Sequence, residues 1–331
     1  MKAIGIIANP ASGKDIRRLV SHATVVDNNE KVNIVKRIIL SAQGCGVERI
    51  YIMPDTFLIG YKAIEDLKIS KELNIDVEIL NMNIKGNVTD TIRATEIMEK
   101  IGVKCIVVLG GDGTNRAVAK AITNTPLIGV STGTNNVYPE MIEGTVVGMA
   151  AGVIASQTCN IGETCMRDKR VEVFRDGQLV DIALVDCVIS KQTYVGSKAI
   201  WNIEEIDQVI VSRAHPAAIG FSTIVGTSLI VEEEDDFGAL IQVNSGRDRV
   251  IVPIAAGTIQ EILVDKPRIL GLDESVHFKP TYNGIMALDG EREVPFKAGE
   301  DIEIKVTRRG PYRVIIDRTL ELAQRNGFFK R

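Results

Sequence analysis

Histidine is scarce in this chain: three residues in 331, at positions 22, 215 and 277, too dispersed to form a recognisable metal motif. The five cysteines, at 45, 105, 159, 165 and 187, are odd in number and show no paired metal-ligand spacing. Cys105 and Cys187 lie in apolar strand patterns, where a cysteine behaves as a small core residue. No apolar run approaches the roughly 20 residues that a bilayer span needs, and the best candidate, Val146 to Ala155, covers about half of that length. Membrane partners are therefore not expected. Lysine and arginine are scattered and the net charge is -4, which argues against nucleic acid as the main partner. Repeats, low-complexity tracts and flexible linkers are absent from the sequence. Met1 to Ala8 is too short for a signal peptide and ends in an Asn9-Pro10 turn, so it reads as the first buried strand of a cytoplasmic protein. A homo-oligomer is compatible with this composition.

What is present is an ordinary globular composition, 45% hydrophobic and 25% charged, in a chain long enough for two domains with proper cores. Ile4 to Ala8, Arg49 to Met53, Asp76 to Leu80, Cys105 to Leu109 and Leu127 to Val130 read mostly as strands buried on both faces of a parallel sheet. Between them, Val35, Ile38, Ile39 and Ala42, then Ala94, Ile97, Met98 and Ile101, follow helical spacing and stop at Gly44 and Gly102. Such a βαβ series predicts a doubly wound, Rossmann-like α/β domain over residues 1–141. Beyond it the texture changes. A small-residue helix, Gly144 to Ser156, leads into strands at Arg170 to Arg175, Gln178 to Ile189, Ala218 to Val231, Leu240 to Val243, Val250 to Ile254 and Ile259 to Val264. This predicts a β-rich, sandwich-like domain over residues 142–316, with a terminal helix at 317–331 packing back on the first domain. Trp201, the single tryptophan, reads as a packing residue.

Gly110-Gly111-Asp112-Gly113-Thr114 follows the apolar run ending at Leu109 and precedes a helical pattern from Asn115 to Thr123. It reads as a phosphate-binding turn with a carboxylate in it. Glycines let the backbone approach an anion, and the amides that open the next helix favour phosphate. Asp112 beside a triphosphate makes sense if it holds a magnesium ion or accepts a proton from an attacking hydroxyl. The alternative is a tight Asp-Gly turn with Thr114 as helix N-cap. Two further loops favour the functional reading, because turns that follow parallel strands share the edge where open α/β folds bind ligands. These are Asn9-Pro10-Ala11-Ser12-Gly13-Lys14 after the first strand and Ser131-Thr132-Gly133-Thr134-Asn135-Asn136 after the fifth. Together the three offer amides, hydroxyls, carboxamides and an ammonium, a set suited to a nucleotide. The first is not a Walker A sequence, since Asp15 stands where its serine or threonine belongs.

These residues resemble a known family. Gly110 to Thr114 looks like the GGDGT signature shared by NAD kinases, diacylglycerol and sphingosine kinases and, more loosely, phosphofructokinases. Asn9 to Arg18, Asp27 to Asn33, Met53-Pro54-Asp55, Gly110 to Arg116, Ser131 to Asn136 and Ala287 to Arg292 together resemble the ATP-NAD kinase-like proteins of the acetoin catabolism protein X branch. The resemblance implies an α/β domain and a β-rich acceptor-binding domain with ATP between them, magnesium, and a small-molecule acceptor. Asn9, Ser12, Gly13, Gly110, Gly111, Gly113 and Thr114 would meet ATP phosphates, and Thr134 and Asn135 would contact the nucleotide. Asp112 would be the catalytic acidic residue, and Glu291, in Asp289-Gly290-Glu291, a second candidate base. The alternative for Asp289-Gly290 is a plain hairpin turn with Glu291 in solvent.

Departures from the family patterns bear on the acceptor. Arg116-Ala117 stands where the lipid kinases carry Asn-Glu, which weakens a lipid acceptor. Arg116 itself reads as a phosphate contact or as an exposed helix arginine. Val185 stands where NAD kinases carry an asparagine that grips NAD, which weakens NAD as acceptor. His215, before Pro216, reads as a surface or capping residue more readily than as an acid-base group. The implied activity is phosphoryl transfer from ATP to a hydroxyl. A nucleotide-binding sensor or accessory protein of a catabolic operon, such as one for acetoin, is the alternative.

Overall fold

The computed structural model describes residues 1–12, 24, 26–191 and 203–330, so Gly13 and Trp201 lie outside the described residues. Five parallel strands open the fold: β1 (Ala3–Ala8), β2 (Arg49–Ile52), β3 (Asp76–Ile79), β4 (Cys105–Gly110) and β5 (Leu127–Ser131), in the spatial order β3-β2-β1-β4-β5. Every residue of β1 and β4 is buried, as continuous apolar runs covered on both faces should be. The connecting helices are α1 (Asn28–Gly44), α2 (Ile59–Ile69), α3 (Val88–Ile101) and α4 (Asp112–Ala119), with α5 (Gly144–Ser156) after β5. Asp27 caps α1 by accepting from the amides of Asn29 and Glu30. Asn87 and Asp90 form a capping box at the start of α3, and Gly102 ends that helix in the left-handed region.

Helix α5 lies along α1, with Val147, Ala150, Ala151 and Ile154 in the same core as Val35, Ile38 and Ala42. The approach is close enough that a Cβ on Gly148 would come 2.5 Å from the carbonyl oxygen of Ile38 and would also meet the Ser41 hydroxyl. In Gly148→Ala the gain in helix propensity is about 1 kcal/mol. Overpacking against a backbone atom costs about 1–3 kcal/mol and outweighs it. Denaturant unfolding should therefore show a less stable variant; a more stable one would contradict this helix contact.

The remaining strands are β6 (Cys165–Arg167), β7 (Arg170–Arg175), β8 (Gln178–Ala183), β9 (Asp186–Ser190), β10 (Ile206–Val211), β11 (Phe237–Ala255), β12 (Thr258–Val264), β13 (Arg268–Gly271), β14 (Ser275–Phe278), β15 (Gly284–Leu288), β16 (Glu291–Phe296), β17 (Ile302–Thr307) and β18 (Tyr312–Val314). One antiparallel sheet runs β12-β11-β10-β9-β15-β16, with β13 also on β11, and a second runs β14-β17-β7-β8. Val173, Ile304, Ile189, Ile210 and Met286 from these two sheets share one core, which makes the region a sandwich. The fold is thus α/β, a doubly wound parallel sheet followed by a β-rich region.

The chain then returns. Strand β18 pairs parallel with β5 and antiparallel with β6, and the terminal helix α6 (Ile316–Arg325) packs on α5. The layer around the parallel sheet therefore includes segments from beyond residue 141. Two strand expectations need correction. Gln178 to Ile189 is not one strand, because the chain changes sheets at Leu184-Val185. Ala218 to Val231 holds a turn and the short helix Ser222–Gly226, which buries Phe221, Ile224 and Val225 against the β11 sheet. A short apolar run carries no period that separates a buried strand from a buried helix.

Candidate active site

Strand β1 lies between β2 and β4, so the chain winds outward in opposite directions from the β1–β4 boundary. Loops diverge at such a switch point and leave a crevice beyond the carboxyl ends of the strands. Because β1, β4 and β5 are neighbours, their three following loops lie side by side, and they are stitched together. Asn9 Nδ2 donates to Thr114 Oγ1 at 2.9 Å, and the hydroxyls of Ser12 and Thr132 lie 3.0 Å apart. The Asp112 carboxylate accepts the Val137 amide at 3.1 Å and the Tyr138 amide at 2.8 Å.

The glycine motif is partly helix. Gly111 is the N-cap of α4 and Asp112 its first residue. The reading of Thr114 as N-cap is thereby corrected; its hydroxyl meets Asn9 instead. Each glycine makes room for a different neighbour. A Cβ on Gly110 would come 2.5 Å from the Thr114 side chain, one on Gly111 2.7 Å from Asn136 Oδ1, and one on Gly113 2.5 Å from Glu291 Oε1.

The last of these contacts brings in the antiparallel sheet that holds β15 and β16. Asp289 (φ 50°) and Gly290 (φ 77°) are both left-handed, the turn of a tight hairpin between β15 and β16. The hairpin reading is correct, yet Glu291 is not simply in solvent, since it pairs with Arg116 at 3.2 Å. Arg116 is 2% exposed and also lies 3.8 Å from Asp289 and 3.7 Å from Asp181. A helix arginine read as exposed is therefore a buried cation among three carboxylates, and it joins α4 to the β-rich region. Asp289 in turn accepts the amides of Leu184, Val185 and Asp186, where the chain changes sheets. Burial pushes its pKa up, and Arg116 and these amides oppose the shift.

A cavity of about 800 Å³ occupies this crevice. Of the expected site residues, Asn9, Ser12, Gly111, Asp112, Gly113, Thr114, Asn135 and Glu291 line it. Gly110 lies behind the wall as the last residue of β4. Thr134 is exposed and off the wall, its hydroxyl accepting the Thr24 amide at 3.2 Å. His215 is exposed and accepts the Ala217 amide, a local cap rather than part of the cavity. Val185 and Asp186 are on the wall, as are Met53, Phe57, Phe221 and Ile254.

Sequence reasoning missed three supports. Asn136 donates to Ser131 Oγ and to the Gly133 carbonyl, which shapes the third loop. Asp55, on the cavity wall, accepts the Phe57 and Ile59 amides, and burial raises its pKa. Lys31, 1% exposed, donates to the carbonyls of Asn9 and Ser12 at 3.0 and 2.9 Å and so holds the first loop. One signal was available for Lys31: it occupies the apolar face of α1 with Val35, Ile38 and Ala42, a place where a lysine needs buried partners. Among the described residues no helix is long and apolar enough to cross a membrane.

This arrangement is that of an NAD kinase-like protein. Residues 4–158 match the ATP-NAD kinase N-terminal domain. A proposed diacylglycerol kinase from Bacillus anthracis str. Sterne shares the fold with a TM-score of 0.50, at 12% identity over 95% of this chain and 96% of that one. Residues 169–309 match the acetoin catabolism protein X C-terminal domain. The acetoin catabolism protein X of Cupriavidus necator is 38% identical over 320 residues, 92% of this chain and 87% of that protein. The chain belongs to the acetoin catabolism protein X family.

Proposed function

We propose that the protein is a kinase that transfers a phosphoryl group from ATP to a hydroxyl of a small molecule. The observation that carries this reading is the placement of Asp112. It stands at the first position of α4, among amides suited to phosphate, on the wall of a cavity large enough for a nucleotide and an acceptor. The amides of Gly111 to Thr114, with Asn9 and Ser12, would meet the triphosphate. Asn135 would reach the nucleotide from the third loop. Among the described residues no group of three or more His, Cys, Asp or Glu could hold a metal. Magnesium suits such a place, because it binds through one or two carboxylates and takes further oxygens from substrate phosphates and water. It would supply charge neutralisation of the transferring group. Asp112 would hold it or take the acceptor's proton. Glu291 is the second candidate for the proton, but it already pairs with Arg116.

Val185 bears on the acceptor. Its apolar side chain offers no hydrogen bond to a dinucleotide, so the unmodified protein should phosphorylate NAD slowly or not at all. Chromatographic detection of rapid NADP formation from NAD and ATP would contradict this.

A second reading, a nucleotide-binding sensor without turnover, draws support from the partners that Asp112 and Glu291 already have. Calorimetric titration with ATP, with and without magnesium, tests the reading common to both. Saturable binding is expected, and it should weaken about tenfold or more in Gly111→Val, whose side chain enters the space of Asn136 and of the phosphates. Unchanged affinity in that folded variant would place the nucleotide elsewhere.

A further inference from the structure

We propose that Tyr138 is a positioning residue for Asp112, a role whose kinetic consequence rests on the kinase reading and whose structural consequence does not. The Asp112 carboxylate accepts the backbone amides of Val137 and Tyr138, so the placement of that dipeptide bears directly on the position of the carboxylate. Tyr138, whose ring is buried, anchors this dipeptide in the core. Its phenol donates to Asp168 Oδ2 at 2.6 Å. Asp168 Oδ1 accepts from Arg213 and from Arg313, each at 3.2 Å, and both arginines also bond to Glu233. The Arg213 guanidinium lies 4.8 Å from the centre of the Tyr138 ring.

These groups come from separate parts of the chain. Arg313 is on β18, next to β5; Arg213 follows β10 in the β12-β11-β10-β9-β15-β16 sheet; Asp168 links β6 to β7. The parallel sheet and the β-rich region therefore meet on one phenol, whose backbone amide grips the carboxylate at the mouth of the glycine motif. Burial pushes the phenol pKa well up, which keeps it a donor. A buried ion network of this kind contributes little net stability and is more useful for fixing geometry.

Tyr138→Phe keeps the ring and its contact with Arg213 and removes only the hydrogen bond to Asp168. Two readouts separate positioning from simple packing. Hydrogen exchange at the amides of Val137 and Tyr138 should speed up about tenfold while the core amides of β1 and β4 keep their protection. In the variant kcat should fall about tenfold with the KM for ATP changed less than about twofold, since small misplacement of a reacting group costs rate rather than nucleotide binding. Asp168→Asn, which weakens the same anchor from its far side, should act likewise. Tyr282→Phe is the control, since it loses a comparable phenol bond, to Asp207 at 2.8 Å, off the cavity wall, and should change neither readout. Retained protection at both amides in Tyr138→Phe overturns the proposal, as does faster exchange with full kcat. Faster local exchange in a protein that transfers no phosphoryl group supports the anchor and refutes the kinase reading instead.

Discussion

Asp112→Asn should lower phosphoryl transfer by about a hundredfold or more, the usual cost of removing a positioned base, while ATP affinity changes far less. The substitution is geometrically mild. Asp112 Oδ1 reaches both the Val137 and the Tyr138 amides, so the carbonyl oxygen of asparagine can keep those two bonds, and the second Val137 contact, through Oδ2, is lost. What is lost is the negative charge and the basic oxygen. Repulsion from the triphosphate falls at the same time, so nucleotide binding should hold or improve. Turnover and ATP affinity must be read on the same folded variant. Full activity with unchanged binding would leave Asp112 as a clamp for the third loop and nothing more.

The second large effect is on stability. Asp289→Ala should cost about 3–5 kcal/mol, because it leaves three buried amides without their acceptor and takes from the buried Arg116 one of its three carboxylates. The group is fully enclosed, and Arg116, 2% exposed, has no solvent to turn to. Removing the cation as well should recover part of the loss. In a double-mutant cycle with Arg116→Met, the two changes should couple by about 1 kcal/mol or more, the double variant being more stable than the sum predicts. Additive losses in urea unfolding would show that the pair is not the link between α4 and the hairpin.

The sequence was most legible where structure is set locally. Strands β1, β4 and β5 are continuous apolar runs, and their neighbouring order follows from the doubly wound pattern. Hence most of the expected loop residues do reach one cavity. Legibility failed where the deciding neighbour is distant in the chain. Arg116 looks like a surface arginine until the Asp289-Gly290 hairpin, more than 170 residues later, covers it. Asp289 reads as a turn residue, and it is one, but the same side chain also holds the Leu184–Asp186 crossing between sheets. Thr134 shares its loop with Asn135, yet its hydroxyl goes to Thr24, which no local rule could foretell. The short strand Tyr312–Val314 has three residues and too little pattern to be seen, although it closes the parallel sheet and carries Arg313 into the network around Asp168.

The most direct test of kinase function is incubation of the purified protein with magnesium and ATP labelled on the terminal phosphate, against a panel of hydroxyl acceptors that includes NAD, diols and sugars. Labelled product is expected from at least one small-molecule acceptor other than NAD, and it should disappear in Asp112→Asn. Saturable ATP binding with no labelled product from any acceptor would contradict the kinase reading and favour a nucleotide sensor.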